Sequence, residues 1–256
     1  MQKYAFSKWN ACGNTTLFFE KELPGALVRK ALAAGQLDYE QAGCVYPAEK
    51  RMRMAGGEFC VNATRSFGAY LAMCEHSRKA EYTVEVSGWP GSVHLLIEQG
   101  EEGVWEVAAH LQLAGCEMED TKLGPIVHLP GISHLLLPEE GAQEGDSKKA
   151  RRLMAEYGLD KRDACGVVWY ERRGDTSVLA IRPLVYVRAL DTLYAEGACG
   201  SGSLALALAL ARGESAARSS FGIAQPSGGV LQVGLEEGRA TVSGEVRLVC
   251  TGEWYA

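Results

Sequence analysis

The sequence predicts a mixed α/β fold, and three observations carry that prediction. Short segments of alternating apolar and polar residues, separated by Gly and Pro, recur over most of the 256 residues, the pattern of a chain rich in short strands. Two segments break this background, each with small residues around a cysteine followed by an apolar run of helical character. Their cysteines, Cys60 and Cys199, stand about half the chain apart. A duplicated protein would look like this: two β-rich halves, each wrapped around one central helix with a cysteine at its N-terminus. The repeat is weak in residue identity.

Tyr4-Ala5-Phe6-Ser7 reads as the first strand. A turn follows at Asn10-Ala11-Cys12-Gly13-Asn14, and then a second apolar run from Thr15 to Phe19. Leu27, Ala31, Leu32 and Ala34 recur at helical spacing and predict a helix over 25–37. Strands are expected over 80–87, 92–99 and 103–112. A polar helix from Ser147 to Tyr157 ends at Gly158. Strands return at 166–171, 178–181 and 185–189, and three more close the chain near 230–235, 239–243 and 246–250. The Ala-Leu run after Gly202 alternates with period two, which a buried strand would also do. Ala and Leu are strong helix formers and the glycines precede the run, so helix is favoured. Such a helix is apolar all round and must be enclosed by other structure.

Composition narrows the function classes. The chain is 47% hydrophobic and 23% charged, with a net charge of −6, an ordinary globular balance. Its length allows one large domain or two of about 120 residues. No basic block stands out, so no nucleic-acid partner is expected. A small charged metabolite remains possible, because a local site can oppose the net charge. The eight cysteines are irregularly spaced. Residues 1–20 carry charges and a turn rather than the apolar stretch of a secretory leader. Free thiols in a reducing, cytoplasmic compartment are therefore expected. No CxxC or Cys/His cluster has zinc spacing, so no metal is expected. The longest apolar run, Leu204 to Ala211, is too short to span a bilayer, and no membrane partner is expected.

The chemistry lies in the two cysteine segments, Gly56-Gly57-Glu58-Phe59-Cys60-Val61-Asn62-Ala63-Thr64-Arg65 and Glu196-Gly197-Ala198-Cys199-Gly200-Ser201-Gly202-Ser203. A helix N-terminus carries unpaired N–H groups and about half a positive charge. It binds carboxylates and lowers the pKa of a thiol placed there. Two such ends brought together could hold one carboxylate between them, with a sulfur on each side of the attached carbon. One sulfur would remove the α-proton and the other would return a proton to the opposite face. Each cysteine alone has a plainer reading, since a lone cysteine is usually a small buried hydrophobe. Cys199-Gly200-Ser201-Gly202 could also be an acyl-transfer nucleophile. Neither segment has the Gly-Lys-Ser/Thr ending of a phosphate loop. The residues alone leave racemase, thiol hydrolase and inert helix cap open.

The motif order resembles one family. Phe6-Ser7-Lys8 with Gly13-Asn14, Cys60-Val61-Asn62-Ala63-Thr64-Arg65, Gly131-Ile132-Ser133-His134, Ala198-Cys199-Gly200-Ser201-Gly202 and the tail from Ser243 to Glu253 resemble the diaminopimelate epimerase superfamily of pyridoxal-independent amino-acid racemases. The likeness covers nearly the whole chain. It implies two pseudo-symmetric α/β (α+β) domains, each a β-rich barrel around a central helix, with the active site in the cleft between them. The first domain would span residues 1–115 plus 246–256 and carry Cys60. The second would span 116–245 and carry Cys199. The resemblance implies Cys60 and Cys199 as the catalytic acid/base pair. It implies Asn14, Val61, Asn62, His134, Glu196, Gly200 and Ser201 as substrate-binding residues, with no cofactor and a homodimer.

Three departures bear on the substrate. Val61 replaces the usual Gly, and Ile132 replaces an Asn. The stretch Leu190-Asp191-Thr192-Leu193-Tyr194-Ala195-Glu196 lacks the Arg that grips the far end of diaminopimelate. Burying that zwitterionic end unpaired would be costly, so another amino acid is expected. The wording at 56–64, with Thr192-Leu193-Tyr194 and Glu196 ahead of the second cysteine, is most similar to the histidine racemases. Glu58 or Glu196 could then pair with an imidazole or ammonium group. The alternatives are diaminopimelate epimerase, a racemase of another amino acid, and an inactive binding protein on the same fold.

Overall fold

The computed structural model describes residues 2–24, 27–28, 38–138, 146–172, 179–212 and 218–255. The strands are β1 Lys3–Ala11, β2 Asn14–Phe19, β3 Gln41–Tyr46, β4 Arg51–Met54, β5 Lys79–Val86, β6 Ser92–Gln99, β7 Val104–Gln112, β8 Glu117–Asp120, β9 Pro125–Leu129, β10 Ile132–Pro138, β11 Ala164–Arg172, β12 Leu179–Val187, β13 Thr192–Ala195, β14 Arg218–Ala224, β15 Val230–Glu236 and β16 Arg239–Tyr255. The helices are α1 Val61–Cys74, α2 Ser147–Glu156 and α3 Gly200–Ala211.

One continuous strand path organises the chain. It runs β1-β2-β3-β4-β5-β6-β7-β16-β15-β14-β12-β11-β10-β9-β8, and an additional β1–β16 pairing closes the first eight strands into a barrel. Alternation explains the barrel wall: along β5 and β6 every second residue is buried, so one face packs inward and the other meets solvent. The inward faces enclose α1, whose first twelve residues are all buried. Phe18 meets Phe67 edge-on at 6.3 Å, and Trp9 meets Tyr70 in the same way.

The remaining strands surround α3, of which Gly200–Ala207 are buried. This apolar run is helical because the surrounding sheet supplies the enclosure that its all-round hydrophobicity requires. The polar helix α2 covers the outer face of β10 and β11 through Ala150, Leu153 and Met154. β10 is therefore buried on both faces. β10 and β11 pair in parallel, which a crossover through a helix permits and a tight turn does not. Among the described residues the path on this side ends at β8, and the closed eight-strand barrel is the one around α1.

Two expected strand breaks are absent. The strands read at 178–181 and 185–189 are one strand, β12, which runs through Pro183 with Pro183 opposite Val168. The last two tail strands are likewise one, β16. Its residues Arg239–Ser243 pair with β15, Arg239–Arg247 with β7, and Val246–Tyr255 with β1. This single strand stitches the two sides together. The helix expected over 25–37 lies outside the described residues except at Leu27 and Val28, whose N–H groups both donate to the Pro24 carbonyl. No helix among the described residues is long and apolar enough to cross a membrane.

Candidate active site

Both cysteines are the N-cap residues of their helices, and the two caps are nearly superimposable in backbone conformation. Cys60 has φ −128° and ψ 109°; Cys199 has φ −132° and ψ 102°. Each sulfur accepts from the amide three residues on, Ala63 for Cys60 and Gly202 for Cys199, at 3.3 Å in both cases. Each carbonyl receives a hydroxyl from the residue four on, Thr64 at 2.8 Å and Ser203 at 2.7 Å. Asn62 and Ser201 are thus first-turn residues, while the thiols themselves fill the capping role that Ser, Thr or Asp usually takes. The first-turn amides of Val61, Asn62, Gly200 and Ser201 precede the first in-helix acceptor and stay available to an anion.

The two helix ends abut. Asn62 Nδ2 donates to the Ala198 carbonyl at 3.0 Å, and Asn62 Oδ1 accepts from the buried Arg65 at 2.9 Å. Gly200 permits the approach, since a Cβ there would stand 2.8 Å from Val61 Cβ. One cavity takes both cysteines together with Val61, Asn62, Glu196, Gly200 and Ser201. Seven of the nine residues expected at the site therefore meet in one place. The other two stand one residue back. His134 is fully buried and its Nε2 lies 2.9 Å from Ser201 Oγ. Asn14 is buried behind Glu40 and Gln41 and bonds to both.

The sequence reasoning missed Glu40, Gln41 and Gln225. Gln41 Nε2 donates to Cys60 Sγ at 3.0 Å. Glu40 accepts from the Gly197 amide at 3.0 Å. Gln225 Oε1 accepts from the Cys199 amide at 2.9 Å. No motif marks Glu40 and Gln41: Glu40 directly precedes β3 and Gln41 begins it in an otherwise plain stretch, and the β2–β3 pairing brings them beside Asn14 and Thr16.

The cavity wall is apolar, formed by Phe59, Ile132, Val185, Val187 and Leu190, with three carboxyls, Glu40, Glu58 and Glu196, set into it. Among the described residues, none that lines it is Lys, Arg or His. Burial pushes the carboxyls of Glu40 and Glu58 up to about 7. Burial, reinforced by the Glu40 charge, raises Glu196 to about 8. One oxygen of Glu58 has no hydrogen-bond partner among the described residues. Helix-end physics predicts acidic thiols, and here the opposite holds. Burial, then the neighbouring Glu196, pushes Cys60 up to about 12, and the same two causes hold Cys199 well above its ordinary value. Desolvation and like charge outweigh the single amide that each helix end supplies. Burial also holds His134 down at about 3, so its ring is neutral.

An acidic, apolar-walled cavity with paired cysteine caps at its base is suited to proton transfer on a small cationic molecule. Comparison places the chain among amino-acid racemases, and it is an isomerase. Residues 3–255 match the histidine racemase CntK N-terminal domain, and the chain belongs to that family. It is 28% identical over 272 residues to a histidine racemase of Fusobacterium nucleatum subsp. nucleatum, spanning 100% of this chain and 98% of that protein. Two solved structures share the fold. A PhzF-family phenazine biosynthesis protein of Bacillus anthracis has a TM-score of 0.71 at 13% identity, with both chains covered fully. A predicted epimerase of Pseudomonas aeruginosa has a TM-score of 0.69 at 17% identity, with 99% of each chain covered.

The close approach at Gly200 gives a direct check. Gly200→Ala should force the two helix ends apart and lower kcat/KM for racemisation roughly tenfold or more, because displacements of about an ångström at a reacting centre carry penalties of that order. A variant with unchanged kcat/KM would show that the approach of the helix ends is not needed.

Proposed function

We propose that this chain interconverts L- and D-histidine by two-base proton transfer between Cys60 and Cys199. The observation that carries the substrate is the set of three carboxyls, Glu58 buried and Glu40 and Glu196 partly buried, in an apolar cavity with no cationic residue among its described lining residues. Such a site is electrostatically incomplete. Charged carboxylates buried without partners are costly, so the favoured ligand brings cations of its own. Histidine brings an ammonium group and an imidazole whose flat faces suit the aliphatic wall and whose N–H edge suits Glu58 or Glu196. Diaminopimelate would bring a second carboxylate with its second ammonium group, and no Arg is among the described lining residues to receive that carboxylate.

In this reading the first-turn amides of Val61, Asn62, Gly200 and Ser201 hold the substrate carboxylate. A thiolate on one face takes the α-proton and becomes a thiol. Negative charge passes to the carboxylate, where the fixed amides stabilise it. The thiol on the other face gives its proton to the α-carbon and becomes the thiolate. Charge and protons balance, the centre is inverted, and the next turnover can run in reverse. The substrate's cations also lower the cost of forming a thiolate beside Glu196. His134 and Asn14 act from behind, through Ser201 and through Gln41. The barrel with α1, residues 1–115 and 246–256, and the part around α3, residues 116–245, would close over the substrate and exclude water.

The test is a panel of L-amino acids incubated with the enzyme and resolved by chiral chromatography. Histidine should racemise fastest and should exchange its α-hydrogen in D₂O. Racemisation of another amino acid with histidine left optically pure would remove the substrate assignment. Glu58→Gln should raise KM for histidine roughly ten- to hundredfold, since a hydrogen bond to a charged group contributes about 1.5–3 kcal/mol. Unchanged KM would take Glu58 out of the binding site.

A further inference from the structure

The two thiols share a cap geometry but not a set of neighbours. Cys60 Sγ accepts from two N–H donors, the Ala63 amide at 3.3 Å and Gln41 Nε2 at 3.0 Å. Cys199 Sγ accepts from one, the Gly202 amide. Its other polar neighbours are Ser201 Oγ at 3.6 Å, which can give or take a hydrogen, and the Glu196 carboxyl, which accepts one from the thiol. Fixed donors favour a thiolate, whereas a carboxylate neighbour favours a thiol.

We propose that Glu40, Asn14 and Gln41 form an amide relay that selects Cys60 as the member of the pair that ionises first, leaving Cys199 as the proton donor. The relay follows from which atoms can donate. An ionised Glu40 only accepts, so it fixes the Asn14 amide with Nδ2 toward Glu40 Oε2, at 2.5 Å. Asn14 Oδ1 is then turned to Gln41 and requires the Gln41 Nε2 side. That same Nε2 is the group aimed at Cys60 Sγ, with Thr16 Oγ1 a longer contact at 3.2 Å. The second Glu40 oxygen is held by the Gly197 amide, so neither oxygen can carry a proton without losing a bond. A proton on Oε2 would reverse both amides and present the Gln41 carbonyl to Cys60, which suits a thiol.

The other charged and titratable groups acting on Cys60 are Glu196, Glu58 and the Arg65 guanidinium. Those acting on Glu40 are Asp38, Glu196 and Tyr194. None of them changes the donor pattern of the relay. Glu40, Asn14 and Gln41 are positioning residues, because in this scheme they act through the Cys60 sulfur.

The relay rests on the two-thiol reading of the site. Its test reads thiol reactivity in the unliganded protein, so it can fail while racemisation stands, and racemisation can fail while it stands. Iodoacetamide labelling is followed across pH by peptide mass spectrometry, comparing the midpoints for Cys60 and Cys199. Midpoints rather than rates remove the difference in exposure. Cys60 should have the lower midpoint. Gln41→Leu should raise the Cys60 midpoint by about one pH unit, a tenfold change in ionisation, and leave that of Cys199 in place. The near-isosteric Gln41→Glu should raise it as well.

Glu40→Gln is the discriminating variant. Removing a nearby negative charge would by simple electrostatics make Cys60 more acidic. Reversing the relay makes it less acidic, although Glu40 does not touch the sulfur. Circular dichroism melting confirms that each variant compared is folded. A Cys60 midpoint at or above that of Cys199, or a Glu40→Gln midpoint unchanged or lowered, would overturn the relay.

Discussion

Replacing either Cys60 or Cys199 by serine lowers racemisation by roughly 10²- to 10⁴-fold, the range over which a positioned acid or base contributes. Serine is close in size and supplies a hydroxyl oxygen where the sulfur capped the helix, so each helix should still start where it does and the protein should stay folded. The two losses differ in an informative way. With one thiol left, the enzyme can still take a proton from one face but cannot return one to the other. Each variant should therefore wash deuterium from D₂O into one enantiomer of histidine more readily than it inverts that enantiomer. Chiral chromatography combined with mass spectrometry reads both quantities at once. Normal racemisation in either variant would end the two-base reading. Loss in one variant only would reassign the chemistry to a single thiol, as in a hydrolase.

The unliganded protein loses stability as pH rises from about 6.5 to 8, and histidine restores it. Glu40, Glu58 and Glu196 have an ordinary value of 4.5 but are held at about 7, 7 and 8 in the folded chain. A folded-state value above the unfolded one means that the native state binds its proton more tightly. The resulting stability is complete below about 4.5 and is withdrawn as pH climbs through the folded values. Each group still protonated in the fold costs about 1.4 kcal/mol per pH unit, so the three together amount to a few kcal/mol. His134 works in the other direction, because its folded value is depressed to about 3 from 6.5, and its effect is confined to pH below about 6.5. Measuring above that limit isolates the carboxyls. Denaturant melts at steps of half a pH unit should show the decline, and Glu58→Gln should flatten it by about one group's share. Saturating histidine should flatten it further by pairing the ionised carboxylates. A flat or rising profile without ligand would contradict the raised carboxyl values.

Much of the fold is legible in the amino-acid sequence. Alternation places β5, β6 and β7 within a residue or so, because a barrel strand with one wet face writes its period into the sequence. The polar helix α2 announces itself through its apolar stripe and the Gly158 that follows it. Strands β8, β9, β10 and β13 escape such reading: β10 is covered on both faces and shows no alternation, and β8 and β13 are only four residues long. Pro183 and Gly244 look like strand ends, yet β12 and β16 continue through them because neighbouring strands hold the backbone extended on either side.

The two cysteines on which the proposed mechanism turns are marked by the sequence itself. Small residues around a thiol, followed by an apolar run of helical character, mark a helix start locally, and Cys60 and Cys199 cap α1 and α3 there. What only the tertiary structure decided is how those thiols behave. Their acidity depends on burial, on Glu58 beside Cys60, on Glu196, which lies near Cys199 in the chain and acts on Cys60 across the cavity, and on Gln41, brought to Cys60 by the strand pairing. A helix end is a short-range feature written in adjacent residues. An electrostatic environment is a sum over everything the fold brings within a few ångströms, and here it reversed the sign that the helix ends alone would give.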